Sequence, residues 1–190
     1  VDKITGLSPV ISIEQKTTNK NPRSTVGTTT EIYDFLRLLF ARAGVAYSYV
    51  TGKPMVKYSD EKIIELILSH FDGRRVLFLS PVVKGRKGHY RELLEGWRKK
   101  GYISARIDGQ IKEITQGMAL DRYKSHVIEI VIDKLVINAN VDIKRVKSSV
   151  ATAMRHGDGI MMAIDADNDT NVRYYSRNLM CEESGMSYKD

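Results

Sequence analysis

The sequence has little of what stabilises or anchors proteins outside the cell. Its single cysteine, Cys181, cannot form an internal disulfide, so nothing indicates an oxidising compartment. No apolar run approaches the roughly 20 residues that a membrane-spanning helix requires. The 42% hydrophobic and 28% charged fractions are those of an ordinary globular protein. We therefore expect a cytoplasmic protein without a membrane segment.

Motifs for nucleotide chemistry and catalysis are missing as well. The loop VVKGRKGH, residues 82–89, joins a predicted strand to a predicted helix, but it lacks the glycine spacing of a phosphate-binding loop. Gly88 is followed by His89 instead of a lysine and a hydroxyl residue. The sequence contains no nucleophile elbow and no Cys/His pairing, so it gives little support to an independent enzyme. We interpret the loop as a basic contact loop or a solvated turn.

Metal-binding patterns are incomplete. Asp165, Asp167 and Asp169 have the spacing of a calcium loop. The sixth and twelfth positions are Thr170 and Ser176, where that loop needs glycine and glutamate, so we interpret the segment as a hairpin turn. Four histidines stand far apart in the sequence and are assigned to helix ends and surface positions: His70, His89, His126 and His156.

Positive charge is in excess, with a net charge of +7 and a pI near 9.4. Residues 74–100 contain nine lysines or arginines against two glutamates, and we expect one face of the fold to concentrate them. Such a face would attract nucleic-acid phosphates and acidic protein surfaces alike, because a charge field does not distinguish the group that carries the opposite charge. A solvated face without a partner is a further interpretation that charge alone leaves open.

Hydrophobic periodicity predicts helices that alternate with strands. Helices are expected at residues 29–43, 59–72, 89–100 and 141–157, and strands at residues 74–83, 126–137, 159–165 and 172–177. Asp108-Gly109, between two alternating runs in residues 102–114, predicts a β-hairpin. From about Tyr58 to Ser176, the pattern is that of an α/β (α+β) domain, with a mixed sheet and about three packed helices. This domain is attached to a helical piece.

The predicted strand at residues 126–137 alternates in character, so its side chains should divide between two faces of the sheet. One set is expected to face one way: Val127, Glu129, Val131 and Asp133. The other set is expected to face the opposite way: Ile128, Ile130, Ile132 and Lys134.

Several segments together resemble a known family. The runs SIEQK, NPRSTVGT and EIYDFLRLLFARAG, all within residues 1–44, form a specific combination, and a weaker likeness continues through residues 80–109 to MCEESGMSY at residues 180–188. This combination resembles the UvrA family, the damage-sensing ATPase subunits of the bacterial nucleotide excision repair excinuclease. The resemblance spans essentially the whole chain.

The resemblance implies a role for the polar segment SIEQKTTNKNPRSTVGT at residues 12–28. In this family, it would be the Q-loop of an ABC-type ATPase, with Gln15 reaching toward the magnesium ion and the γ-phosphate of ATP. A glutamine oxygen can bind the metal without adding negative charge beside phosphates. The alternative is a surface glutamine in a polar connection. Since the chain has neither a Walker A loop nor an LSGGQ-type signature, we expect an internal piece of an ATPase that does not hydrolyse ATP by itself.

The resemblance also implies a domain division and a partner. Residues 1–57 would belong to the ATPase region, residues 58–176 would be an inserted domain that binds the UvrB helicase subunit, and residues 177–190 would return toward the ATPase region. The predicted contact residues are Arg106, Lys112 and Lys134, supported by Lys84, Arg86 and Lys87. The family uses arginines at two positions that align here with Ser104 and Lys134. A lysine supplies charge without the bidentate fork of arginine, so affinity or partner choice could differ.

The family's zinc module is degenerate in this sequence. A CxxCG motif is expected where the chain reads Cys181, Glu182, Glu183, Ser184 and Gly185, so Ser184 replaces the second thiol. A hydroxyl binds zinc poorly, and the segment YSYVTGKP at residues 47–54 contains no thiol either. We therefore expect no zinc in this chain and a divergent member of the family.

The longer protein would bind ATP, magnesium and damaged DNA, and it would form homodimers. The main alternative for this chain is a basic nucleic-acid-binding module of a UvrA-like protein with another partner. The absence of exposed-looking aromatic residues among the basic residues weighs against that alternative, since Tyr90 and Trp97 fall on the apolar face of their helix.

Overall fold

The computed structural model describes residues 32–181 and residue 187. The chain divides into two compact units between Val45 and Ala46. The domain bounds expected from the sequence stay a prediction. Within the first unit, the structure describes helix α1, Ile32–Ala43, in which every residue is exposed. No helix in the described part of the chain is long and apolar enough to cross a membrane.

The second unit contains three helices and six strands in its described residues. In chain order they are α2 (Asp60–His70), β1 (Arg75–Lys87), α3 (Arg91–Lys99), β2 (Ser104–Ile107), β3 (Gln110–Glu113), β4 (Ser125–Val136), α4 (Ile143–His156), β5 (Ile160–Asp165) and β6 (Asn168–Ser176). The strands form one sheet in the order β3-β2-β4-β1-β5-β6. The α/β class predicted from the sequence is confirmed.

All neighbouring strands in this sheet are antiparallel, although the sequence suggested a mixture of directions. The connections explain the difference. The crossover from β1 through α3 to β2 leaves a gap that β4 fills, and the crossover from β4 through α4 to β5 leaves a gap that β1 fills. Strands that run in the same direction are therefore never adjacent. This is the split βαβ arrangement of ferredoxin-like folds, extended at its edges by β3 and β6.

All three helices of the second unit pack on one face of the sheet. Helices α2 and α4 cover its β1 and β5 side with buried residues that include Ile63, Ile67, Val150 and Met154 against Phe78 and Met161. Helix α3 covers the other side, where Leu94 and Trp97 pack against Ala105, Ile128 and Ile130. Ile132 contacts both clusters, so the two form a continuous helix layer.

Local signals in the sequence account for the ends of several elements. The Ser59 hydroxyl accepts a hydrogen bond from the Lys62 amide at the start of α2, as an N-cap does. Asp108 and Gly109 form the two-residue turn between β2 and β3 with φ angles of 51° and 87°. Such a turn requires two left-handed residues, which Asp-Gly supplies. The predicted hairpin is thus confirmed.

A bulge in β4 changes the predicted division of its side chains. Phe78 pairs with Asp133 and Leu79 with Val131, which leaves Ile132 as an extra residue in β4. The extra residue reverses the alternation beyond it, so Asp133 faces the helix layer and Lys134 faces the opposite way. The prediction that Asp133 shares a face with Glu129, and Lys134 with Ile130, was therefore wrong.

Candidate protein-interaction surface

The sheet has one face on which none of the three helices of the second unit packs, which we call the open face. Its centre is an apolar cluster from the neighbouring strands β1 and β5: Leu77, Leu79, Met162 and Ile164. Val131, Val172 and Tyr174 pack around this cluster. The four central side chains are buried although the helices lie on the other face. We call this packed cluster the apolar floor of the open face.

Arg106 lies on the open face and is directly opposite Glu129. Its Nη1 atom lies 3.4 and 3.5 Å from the two carboxylate oxygens of Glu129. The side chain of Glu129 is 4% exposed and that of Arg106 is 18% exposed. Burial raises the pKa of Glu129, and the positive charge of Arg106 opposes the rise. Arg106 therefore neutralises a buried carboxylate within the domain, which the sequence-based interpretation did not anticipate.

Arg106 also keeps unused hydrogen-bonding capacity. Its Nε atom is buried and has no hydrogen-bond partner among the described residues. Beside the guanidinium, a cavity of about 280 Å³ lies between the β2–β3 hairpin and β5, lined in part by Leu77, Ile111 and Ile164. The polar residues Gln110 and Asp165 also line this cavity, so Arg106 borders a cavity of mixed polar and apolar character on the open face.

Lys134 is on the same face, farther along β4. It pairs with Leu77 of β1 and is exposed. It lies five positions from Glu129, which corresponds to roughly 15 Å along a strand. Ser104, two residues before Arg106 on β2, faces the same way. The structure therefore brings Ser104, Arg106 and Lys134 to one face of the sheet.

Exposed apolar side chains surround these polar residues. Ile111 is 50% exposed and pairs with Arg106, while Val127 and Val136 are 38% and 50% exposed. Val127 lies two residues from Glu129, and Val136 two residues from Lys134, so alternation puts both on the open face. Exposed apolar area flanked by a few cations is a composition that suits a protein-binding surface.

The other predicted contact residues lie elsewhere. Lys112 is exposed on the edge strand β3 and pairs with the buried Ala105, so register places it on the helix side of the sheet. Lys84, Arg86 and Lys87 are exposed at the far end of β1, where Arg86 pairs with His126. That end is roughly 30 Å along the strand from Leu77, the partner of Lys134. They are therefore distant from Lys134; Arg86 is on the helix side through its partner His126, whereas Lys87 pairs with Ser125 on the side of the open face.

Two of the nine basic residues in 74–100, Arg74 and Arg75, lie apart from the others, so the predicted basic face does not include all nine. At the start of β1, Arg74 contacts Asp165 at 2.6 Å and Arg75 forms an ion pair with Asp167. Extended over 13 residues, β1 separates these arginines from the cations at its other end. The amide of Asp167 also donates to the Asp165 carboxylate at 3.0 Å, which confirms the hairpin-turn interpretation of this segment.

Three of the four histidines lie at helix ends or on the surface, as the sequence predicted. His70 and His156 close α2 and α4, and His89 is exposed. His126 is 5% exposed within β4, so its assignment to the surface was wrong. Its position between a carboxylate and a carbonyl is considered below.

The degenerate zinc segment can be followed only as far as the described residues. The Thr51 hydroxyl lies 3.2 Å from the Cys181 sulfur, and the Ser48 hydroxyl accepts hydrogen bonds from the amides of Val50 and Thr51. Ser184 and Gln15 lie outside the described residues. Within residues 32–181, the structure shows no group of three or more His, Cys, Asp or Glu side chains that could hold a metal ion.

Comparison with known proteins identifies the family. A model of the UvrA interaction domain matches residues 59–167. The chain belongs to this family. It is 47% identical over 167 residues to UvrABC system protein A of Bradyrhizobium diazoefficiens, a match that covers 88% of this chain and 17% of that protein. It is 40% identical to the protein of that name from Methanothermobacter thermautotrophicus, over 100% of this chain and 20% of the relative.

A third relative, UvrABC system protein A of Deinococcus radiodurans, is 41% identical over 97% of this chain and 19% of its own length. The chain thus spans about a fifth of the length of the curated relatives that it matches. The UvrA interaction domain match includes Arg106, Lys112 and Lys134 and ends before Cys181. It comprises strands β1 to β5 and all three helices of the second unit, and it ends in the β5–β6 turn.

Sequence reasoning missed the burial of two ionisable residues in this UvrA interaction domain. Glu129 and His126 both occupy a strand whose neighbours are apolar, and a charged residue in such a strand is seldom buried without a partner. This signal could have prompted a search for partners on adjacent strands. The residues that lie close enough to pair with Glu129 and His126 are determined by the strand order β2-β4-β1, which the sequence pattern does not specify.

Proposed function

We propose that this chain is the part of a UvrA-type nucleotide excision repair protein that binds the UvrB subunit, and that the open face is the binding surface. The single observation that carries the proposal is the exposed Lys134 on the same face as Arg106, above an apolar floor. The family match to an interaction domain supports a protein partner.

The geometry suggests a division of roles on this surface. Lys134 is exposed and would meet a carboxylate of the partner, whereas Arg106 is paired with Glu129 and borders the cavity described above. Ile111 and Val136 would supply apolar area. Charges at such a surface chiefly affect the rate and specificity of association, and apolar area excluded from water contributes to affinity.

ATP hydrolysis, damaged-DNA binding and dimer formation are proposed for the longer protein and not for this chain. Within the longer protein, the position of Gln15 would depend on whether ATP is bound. Other segments of that protein would hold ATP and magnesium. The degenerate segment at Cys181 would leave this region without zinc.

The proposal is tested by calorimetric titration of the chain with UvrB from the same organism. Lys134→Glu should weaken binding by about tenfold, because the reversed charge would repel an acidic partner. Lys147→Glu is the matched control, since Lys147 is an exposed lysine of α4 on the helix side. Equal effects of the two variants, or no binding by the folded wild type, would contradict the proposal.

A further inference from the structure

His126 joins two segments that are separate in sequence. Its Nδ1 atom lies 2.7 Å from a carboxylate oxygen of Asp108 in the β2–β3 turn, and its Nε2 atom lies 2.8 Å from the carbonyl oxygen of Asp121. The residue is 5% exposed. A carboxylate and a carbonyl both accept hydrogen bonds, so a ring that satisfies both contacts carries a proton on each nitrogen. The arrangement is that of a buried imidazolium.

Asp108 transmits this contact to the hairpin. Its second carboxylate oxygen accepts a hydrogen bond from the Val127 amide at 2.8 Å, and its own amide donates to the Val127 carbonyl at 2.9 Å. Its backbone has a left-handed φ of 51°, so the conformation of the whole turn is tied to these bonds. Asp108 thus connects the turn both to His126 and to the beginning of β4.

We propose that His126 is a positioning residue for the open face: its imidazolium fixes the β2–β3 hairpin, and with it the orientation of Arg106 and Ile111. The consequence for binding rests on the proposed function above. The fixing of the hairpin itself is a property of the isolated chain. It can be measured without any partner.

The surroundings of the ring favour its charged form. Groups that face it or its acceptors come from every element packed around it: Arg86 on β1, the Tyr90 ring edge-on at 6.2 Å, Asp108 in the turn, Lys112 on β3, and Asp121 with its ion-pair partner Lys124. The hydrogen bond to Asp108 raises the pKa of His126, and the Asp121 carbonyl adds to the rise. Burial raises the pKa of Asp108, but bonds from the Val127 amide and His126 outweigh burial and hold it below its usual value.

The sign of the pH dependence follows from the raised pKa of His126. A histidine whose pKa is higher in the folded state contributes stability that is fully present below its unfolded pKa. This contribution is lost as the pH rises through the folded pKa, above the ordinary value of 6.5. The order of the hairpin should therefore decrease as the solution becomes alkaline.

Nitrogen NMR of the imidazole rings and amide hydrogen exchange test the proposal on the whole chain. Near neutral pH, both ring nitrogens of His126 should be protonated. As the ring titrates, exchange protection factors in β2, β3 and at Val127 should fall by about tenfold, the effect of one hydrogen bond to a charged group. Protection in the β1–β5 pair should not follow the titration.

Asp108→Asn is the informative variant, because asparagine has the same shape, tolerates a left-handed φ and lacks the charge. In this variant, His126 should titrate at a lower pH. The fall in the exchange protection factors of the hairpin should shift to the same lower pH. His89→Gln is the control. His89 is exposed, and its ring accepts a hydrogen bond from the amide of Arg91, so this variant should leave both profiles unchanged.

A neutral ring of His126 at neutral pH, or hairpin protection that does not follow its titration, would overturn the proposal. In binding experiments, the affinity for UvrB should fall over the same pH range, and Asp108→Asn should shift that range downward. An affinity that is constant across this range would remove the link between His126 and the open face. Failure of UvrB to bind at any pH would instead contradict the proposed function, whereas the hairpin measurement would stand.

Discussion

Asp133 and Lys134 are adjacent on β4 but lie on opposite faces of the sheet. Asp133 accepts hydrogen bonds from Arg145 at 2.8 Å and from Ser149 at 2.6 Å, both in α4. Lys134 is exposed on the open face beside Leu77. One residue therefore joins the helix layer to the sheet while its neighbour belongs to the proposed binding surface, so stability and binding can be altered separately.

Asp133→Asn should lower the free energy of unfolding by about 1.5 kcal/mol at neutral pH, because bonds to a charged acceptor become bonds to a neutral one. Burial raises the pKa of Asp133, but bonds from Arg145, Ser149 and the Lys134 amide bring it below its ordinary value of 3.8. The stabilisation is thus present above that value and is lost as the pH falls through the folded pKa. Urea unfolding at neutral and acid pH measures both effects. A destabilisation that persists in acid would contradict this account.

Arg106→Ala should destabilise the domain by roughly 3 kcal/mol at neutral pH, because it leaves the Glu129 carboxylate buried without its cation. The pKa of Glu129 is already raised by burial and should rise further in this variant. A carboxyl with a raised pKa loses stability as the pH rises from its ordinary value toward the folded one. The cost of the substitution should therefore shrink in acid, as urea unfolding across pH would show.

The double variant Arg106→Met with Glu129→Leu is the control for that result. Apolar side chains of similar size remove both charges, and such replacements of buried ion pairs are often neutral or stabilising. The double variant should thus recover most of the stability lost in Arg106→Ala. A double variant as unstable as the single one would mean that packing and not the ion pair explains the loss.

Gly157→Ala should destabilise the domain by more than about 2 kcal/mol, since a Cβ there would lie 1.9 Å from the Ile160 carbonyl oxygen. The backbone at the end of α4 would have to move. Gly96→Ala in α3 is the matched control, because a Cβ there meets nothing within 4 Å. That change should stabilise the helix by about 0.5–1 kcal/mol. Thermal unfolding of both variants measures the contrast, and similar effects would contradict the structure at Gly157.

Much of the fold could be predicted because local signals and periodicity agree. Ser59 begins a helix, Asp108-Gly109 makes a hairpin, and the apolar faces of α2, α3 and α4 correspond to the buried clusters. The exception within α4 is Ile143, which was placed on the apolar face and is 42% exposed. It lies in the first turn, where the helix has only begun to pass over the sheet.

The candidate site could be predicted only in part, because strand order and register determine it. Arg106 was predicted from the family resemblance as a basic residue near the hairpin, but its partner Glu129 was found only once β2 was seen to pair with β4. The bulge at Ile132 has no sequence signal of its own, yet it decides that Lys134 lies on the open face. His126 was assigned to the surface because it lies in no metal-ligand motif. Its burial could not be predicted, since its two acceptors come from a turn and a loop that periodicity does not bring together.

The most direct test of the central claim is to map UvrB binding on the chain by amide NMR. The account predicts that titration with UvrB perturbs open-face residues of β2 and β4, including Arg106 and Lys134, and leaves the exposed face of α4, around Lys147, unchanged. Perturbations confined to the helix layer, or to the far end of β1 at Lys84–Lys87, would contradict the assignment of the open face as the binding surface.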